Sequence, residues 1–213
     1  MIGIAISGSI GTGKTTLCNN LSKATGWAVV HEDVKTNPFL APFYGDMNRW
    51  ALPSQLRFML DKTLLYERMK AQLSEVVLID RTIDEDFFVF THVLRSYKIL
   101  SETEFNLVHD VFHYLYKTWA RPDVVIYLKD TPENCLARVL DRGYPGDNKM
   151  ELEYVQKISD EYENWSKGFL VAPYIQLNPA TLDFRLPATV ERVRESLSSI
   201  LRERSILGPS PKA

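Results

Sequence analysis

Near its start the chain carries Gly8-Ser9-Ile10-Gly11-Thr12-Gly13-Lys14-Thr15, a complete G-x-x-x-x-G-K-[ST] phosphate loop. The motif constrains the fold as much as the ligand, because it works only between a strand and a helix. Ile2 to Ser7 is an apolar run that reads as a buried strand, and Thr12 to Ala24 has a helical pattern. Glycines there let backbone N–H groups turn inward around phosphate oxygens, and the helix N-terminus adds its dipole. The segment Gly8, Ser9, Ile10, Gly11, Thr12, Gly13, Lys14, Thr15 and Thr16 is therefore expected to bind a nucleoside triphosphate. Lys14 would reach the β- and γ-phosphates, and the Thr15 hydroxyl would ligate Mg²⁺.

The rest of the pattern agrees with that start. Trp27 to His31, Val76 to Asp80, Val124 to Leu128 and Tyr174 to Leu177 read as further strands. Between them lie helical stretches: Met47 to Leu73, bent near Pro53, then Glu85 to Tyr97 and Ser101 to Trp119. Another starts at Thr131-Pro132, and the last two run from Glu151 to Gly168 and from Pro187 to Arg204. Ser101 with Glu104 forms a capping-box signature. Continuous Val/Ile strands separated by helices predict an α/β chain of the P-loop NTPase type in three layers: a five-stranded parallel sheet with helices on both faces and a lid. Residues 1–206 read as one domain, with the lid at about 138–150 and a loose tail at 207–213.

Composition narrows the function classes. With 45% hydrophobic residues and a net charge of −2, the chain is too apolar for disorder. It is also too balanced for a general affinity for nucleic acid or anionic membrane. No run approaches the roughly 20 apolar residues that span a bilayer, and no signal-like leader precedes Ser7-Gly8. Cys18 and Cys135 lie far apart in helix-like segments, which argues against a disulfide and for a reducing, cytoplasmic setting.

Three more places suggest chemistry. Asp80-Arg81 ends the Val76 to Asp80 strand, in the crevice beside the phosphate loop. Asp80 there can support Mg²⁺, and Arg81 can meet a transferring phosphoryl group. A hydrolytic motor would place a second acid next, so Arg81 favours transfer to a bound acceptor. His31-Glu32-Asp33-Val34 ends the second strand and offers a carboxylate to the same crevice. Arg138 and Arg142 share one helix face ahead of Gly143 and Gly146, as expected of a closing basic lid. Two other signals carry less. His109 and His113 are spaced like zinc-protease ligands but lack the following Glu, and Asn148-Lys149 does not follow a strand as a guanine-reading segment does.

Taken together these motifs resemble the deoxynucleoside kinase family, from Met1 to about Phe184. The family's E-P-V appears as Glu32-Asp33-Val34, its Y-x(10)-Q as Tyr44 to Gln55, and its [DE]-R-S-x-x-x-D as Asp80-Arg81-Thr82 to Asp86. Its lid R-x-x-x-R-G appears as Arg138 and Arg142-Gly143, followed by Leu152-Glu153-Tyr154. Asn37-Pro38-Phe39-Leu40 is similar to the bacterial deoxyadenosine/deoxyguanosine kinase branch.

The resemblance implies ATP and Mg²⁺ as donor and cofactor and a deoxyribonucleoside as acceptor. It implies Glu32 as general base for the 5′-hydroxyl, Arg81 beside it, and Asp80 with Thr15 at Mg²⁺. Gln55 would pair with the base edge, Phe90 would stack on the base, and Tyr44 and Asp147 would hold the 3′-hydroxyl. Asp147 stands where the family has Glu, Asp33 where it has Pro, and Tyr144 where it has a third lid arginine, with Lys149 a candidate for the missing cation. Lys62 and Asp86 occupy the base-selecting positions, and Phe58 would crowd a thymine methyl. Those residues favour a purine, adenine over guanine. The resemblance also implies a homodimer through helices 47–73 and 101–119. The alternatives are a thymidylate-type monophosphate kinase, which would need an extra cationic site where Glu32 and Asp33 stand, a nucleotide-switched regulator, and a non-catalytic assembly subunit.

Overall fold

The computed structural model describes residues 1–32, 37–72, 74–169 and 172–207. Asp33, Val34, Leu73 and the tail from Gly208 lie outside the described residues. Five strands form one parallel sheet in the order β2-β3-β1-β4-β5: β1 (Ile2–Gly8), β2 (Ala28–Val30), β3 (Val76–Asp80), β4 (Val124–Leu128) and β5 (Tyr174–Leu177). Ile6 pairs with Asp80 on one side of β1 and with Ile126 on the other. The chain therefore leaves β1 to build outward in both directions, and the crevice beyond its carboxyl end is the switch point where ligands bind such sheets.

Strand residues are apolar on both faces because both faces are covered. Ile4, Ile6, Leu78 and Ile126 pack with Leu17 and Leu21 of α1 (Lys14–Thr25) and with Val193 and Leu197 of α9 (Pro187–Leu207). On the opposite face Tyr127 joins Cys135 and Val139 of α7 (Pro132–Arg142) and Val155 and Ile158 of α8 (Leu152–Phe169). Val77 and Ile79 meet Tyr66 of α3 (Met47–Ala71), which follows the short α2 (Leu40–Phe43). The expected three layers are present.

Element ends shift by a few residues, as unpaired helix termini allow. The helix after the phosphate loop begins at Lys14 rather than Thr12, because Gly13 takes a left-handed conformation (φ 89°) at its cap. Pro53 lies inside α3, so the Arg49 carbonyl one turn earlier loses its usual donor. The stretch expected as one helix, Glu85 to Tyr97, is composite: α4 (Ile83–Glu85), π-helical turns over Asp86–Thr91, and α5 (His92–Ser96). Ser101 and Glu104 cap α6 (Glu102–Tyr116) reciprocally, and the Thr131 hydroxyl caps α7. Cys18 and Cys135 are both free and buried, in the clusters on opposite sheet faces. Among the described residues no helix is long and apolar enough to cross a membrane.

Candidate active site

The phosphate loop is built by tight contacts that only glycine permits. A Cβ on Gly8 (φ 142°) would lie 2.4 Å from the Leu128 carbonyl oxygen, and one on Gly11 (φ 77°) 2.2 Å from that of Cys135. Lys14 donates from Nζ to the carbonyls of Gly8 (2.9 Å) and Ser9 (2.7 Å), so its ammonium is already inside the loop. Burial, with Arg81 nearby, lowers its pKa to about 8. Thr12 closes the turn by donating to the Ser9 carbonyl.

Register between β1 and β3 brings the next residues alongside. The Thr15 hydroxyl donates to Asp80 Oδ2 at 2.6 Å. Asp80 Oδ1 is buried with no hydrogen-bond partner. Burial raises the pKa of this carboxyl, against the pull of Lys14. A hydroxyl and a carboxylate with an unsatisfied oxygen beside a phosphate loop form an oxygen donor set that suits Mg²⁺.

Beyond the loop opens a cavity of about 720 Å³. Ile10, Gly11, Gly13, Lys14, Thr15 and Thr16 line its phosphate-loop wall, and Arg138 and Arg142 line another side. Glu32, Tyr44, Gln55, Phe58, Arg81, Asp86 and Phe90 face the same space. Thus residues separated by more than a hundred positions converge as the motifs required. Arg138 donates to the Gly11 carbonyl and to Asp130, which fastens α7 to the loop.

Glu32 is the most constrained of these groups. Its carboxylate accepts from Arg81 Nη1 and, at 3.4 Å, from Lys62 Nζ. Burial alone would raise its pKa, but Arg81, Lys62 and Lys14 together outweigh that and hold it at about 2. Arg81 itself sits at φ 67°, an unusual conformation for a side-chain-bearing residue, and its N–H bonds the Ile6 carbonyl. Its guanidinium lies 4.4 Å from the centre of the Phe90 ring. Asp86 and Phe90 both come from the π-helical turns, a rare winding that concentrates at functional sites.

Three of the expected residues lie off the cavity wall. Lys62 does not line the cavity: its ammonium, 1% exposed, is held by both Asp86 oxygens (2.8 and 2.7 Å) and by Glu32. Two carboxylates within reach consume it, so it fixes Asp86 instead of reading a base. Asp147 also stays off the cavity wall, because Arg142 (2.8 and 3.0 Å) and the Tyr144 N–H occupy its carboxylate. Lys149 likewise does not line the cavity, and its ammonium lies beside Gly45. The His109 and His113 rings pack 4.3 Å apart, and no cluster of three or more potential metal ligands occurs among the described residues.

Tyr154, matched only as the last residue of the Leu152-Glu153-Tyr154 segment with no role, lines the cavity, and no motif marked Thr91, whose hydroxyl lies 3.4 Å from the Gln55 carbonyl oxygen. The sequence motifs also missed Glu85 and Tyr162, both buried behind Arg81. The Thr82-x-x-Glu85 spacing, which the structure shows to be a capping box, could have marked Glu85, whereas no motif covers Tyr162.

A parallel sheet with a phosphate loop at its switch point, a basic lid and a carboxylate facing the loop across one cavity defines a P-loop phosphotransferase. The family model for deoxynucleoside kinase matches residues 4–202, and the chain belongs to that family. A deoxyadenosine kinase of Dictyostelium discoideum is 31% identical, covering 82% of this chain and 71% of its own. A deoxyadenosine/deoxycytidine kinase of Bacillus subtilis is 29% identical over 94% of this chain and 93% of its own. The solved structure of a deoxyadenosine kinase from M. mycoides, with dCMP and a flexible dCDP bound, superposes with a TM-score of 0.80 at 25% identity. It covers 93% of this chain and 100% of that one.

Proposed function

We propose that this deoxynucleoside kinase transfers the γ-phosphoryl group of ATP to the 5′-hydroxyl of a purine deoxynucleoside, deoxyadenosine first. The observation that carries the reading is Glu32: an ionised carboxylate in the cavity with the phosphate-loop lysine, held there by Arg81 and Lys62. It accepts the hydroxyl proton as the oxygen bonds to phosphorus, while Lys14, Arg81, Arg138 and Arg142 neutralise the charge on the transferred group. Thr15 and Asp80 would hold Mg²⁺, which would supply positive charge against the negative charge of the phosphates. Phosphoryl transfer needs little covalent chemistry from the protein, so placement and charge supply most of the rate.

The base preference follows from Gln55 and Asp86. A glutamine amide matches the donor–acceptor pair of adenine, and a carboxylate accepts from its exocyclic amino group. Guanine would set its O6 acceptor against Asp86. Phe58 closes the space a thymine methyl would need, and Phe90 with the Arg81 guanidinium beneath it offers a face for stacking. Tyr44, whose phenol burial pushes up to about 12, stays protonated and can donate to or accept from the 3′-hydroxyl. Two of the relatives are named deoxyadenosine kinases, which supports the reading, although others are named for deoxyguanosine, deoxycytidine or thymidine. Residues 138–150 act as the lid, and a second copy of the chain covers α3 and α6 to give a homodimer.

The test is phosphate transfer from Mg·ATP to all four deoxynucleosides and to their monophosphates in parallel. Deoxyadenosine is expected to show the highest kcat/KM. Transfer only to monophosphates would instead establish the thymidylate-type reaction.

A further inference from the structure

Behind Arg81, on the side away from Glu32, lies a buried polar chain that the proposed phosphoryl-transfer roles leave unused. Arg81 Nε donates to Tyr162 Oη at 3.0 Å, and Tyr162 Oη donates to Glu85 Oε2 at 2.8 Å. The other Glu85 oxygen accepts from the Ser7 hydroxyl (2.9 Å), the Thr82 N–H (2.8 Å) and the Thr82 hydroxyl (3.2 Å). Glu85 and Tyr162 are both 0% exposed, so water cannot replace these bonds. A phenol has one proton, and here its direction is fixed: it goes to Glu85, which leaves the oxygen lone pairs for Arg81.

We propose that Tyr162, backed by Glu85, is a positioning residue for phosphoryl transfer: it fixes the Arg81 guanidinium in the orientation that holds Glu32 and faces the cavity. The inference rests on the roles proposed above for Glu32 and Arg81. Three features of the structure support it. Arg81 occupies a left-handed backbone conformation that is unfavourable for a residue with a Cβ, so surrounding contacts must hold it there. An arginine side chain has several rotatable bonds in its stem, and hydrogen bonds at Nε and Nη1 together fix the plane of the rigid guanidinium. Moreover, the chain of bonds ties three elements to one point: Ser7 precedes the phosphate loop, Thr82 follows Arg81, and Tyr162 lies on α8, which follows the lid. Ser159, one turn earlier on α8, also donates to the Ser9 hydroxyl at 3.2 Å.

The experiment is a double-mutant cycle on kcat. Tyr162→Phe keeps the ring and removes the bond to Arg81. It should lower kcat about tenfold while leaving the KM values for ATP and deoxynucleoside within about twofold, since misplacement of a charge stabiliser acts on the transition state. In an Arg81→Lys background, where no Nε–H meets the phenol, the same change should cost less than about twofold. Equal losses in both backgrounds, or a Tyr162→Phe enzyme with wild-type kcat, would overturn the proposal, because a merely structural role adds independently of Arg81. Should Tyr162→Phe fail to fold, Glu85→Gln takes its place, with a several-fold loss expected that again disappears beside Arg81→Lys. An Arg81→Lys enzyme with the wild-type rate would strike instead at the role of Arg81, and the clamp would fall with it.

Discussion

Arg81, Lys62 and Lys14 hold the Glu32 carboxyl well below the ordinary glutamate range, and that sets what its removal should do. Its folded pKa of about 2 lies below the ordinary value for a glutamate, so the ion pairs with Arg81 and Lys62 stabilise the fold above about pH 4 and that contribution is lost as pH falls towards 2. So weak a base does not strip the 5′-hydroxyl in the ground state. It need not, because a loose transition state leaves the alcohol mostly protonated until bond formation is advanced. Glu32→Gln is expected to lower kcat by about 10²- to 10⁴-fold, by the same factor from pH 6 to 9, with ATP affinity unchanged in a titration. A loss that grows or vanishes across that range would assign the proton to another group. At this scale the sequence was readable where a residue belongs to a contiguous motif: Lys14, Thr15, Asp80 and Arg81 stand where their spacing put them. It failed where a side chain chooses among partners. Lys62 went to two carboxylates and Asp147 to Arg142, choices fixed by which opposite charge is nearest after folding. Tyr162 was invisible for the same reason, since its partners lie 77 and 81 positions away.

Elements were legible to the degree that one local pattern decides them. The strands were, because parallel pairing buries both faces and leaves continuous Val/Ile runs. The order of those strands was not written locally, and neither was the π-helical winding of Asp86–Thr91, whose apolar spacing passes for an ordinary helix. The lid shows how an element can depend on one atom. Gly146 has φ 96°, and a Cβ there would lie 2.5 Å from Cδ2 of Tyr44, a residue of the cavity wall. The turn over Asp147–Lys149 therefore rests directly on the tyrosine assigned to the sugar. Gly146→Ala meets both the left-handed penalty of about 1–2 kcal/mol and this clash. It should raise the deoxynucleoside KM by about five- to tenfold, with a smaller effect on the KM for ATP. Steady-state kinetics with each substrate varied in turn will show it, and an unchanged deoxynucleoside KM would detach the lid turn from the sugar site.

The whole molecule leaves one face without a partner in the single chain. On α3, Met59, Thr63 and Tyr66 turn inward, whereas Leu60 and Leu64, one turn apart, are 44% and 50% exposed. On α6, Phe105, Val108 and Phe112 turn inward, whereas Leu107 and Tyr114, two turns apart, are 46% and 71% exposed. The two helices pack side by side where Met59 of α3 joins Phe105, Val108 and Phe112 of α6, and Trp119, just beyond α6, stacks on Tyr66 and donates to Thr63. Scattered exposed leucines need no explanation, but two adjacent helices each carrying an outward apolar row do. A second copy would present the same rows, so the proposed twofold contact would bury all four residues in each chain at once. A stable interface of this kind covers about 1,200–2,000 Å² in total, an area two such helices per chain can supply. Sedimentation velocity should then give twice the 24.5 kDa chain mass at micromolar concentration. Leu64→Glu combined with Leu107→Glu places charges on both rows and should yield a folded single chain of that mass. The cavity is lined from the sheet's carboxyl ends, the lid and the inner side of α3, with neither substituted residue among its walls. The separated chains should therefore keep measurable turnover, which distinguishes a dimer that only adds stability from one in which the contact completes the site.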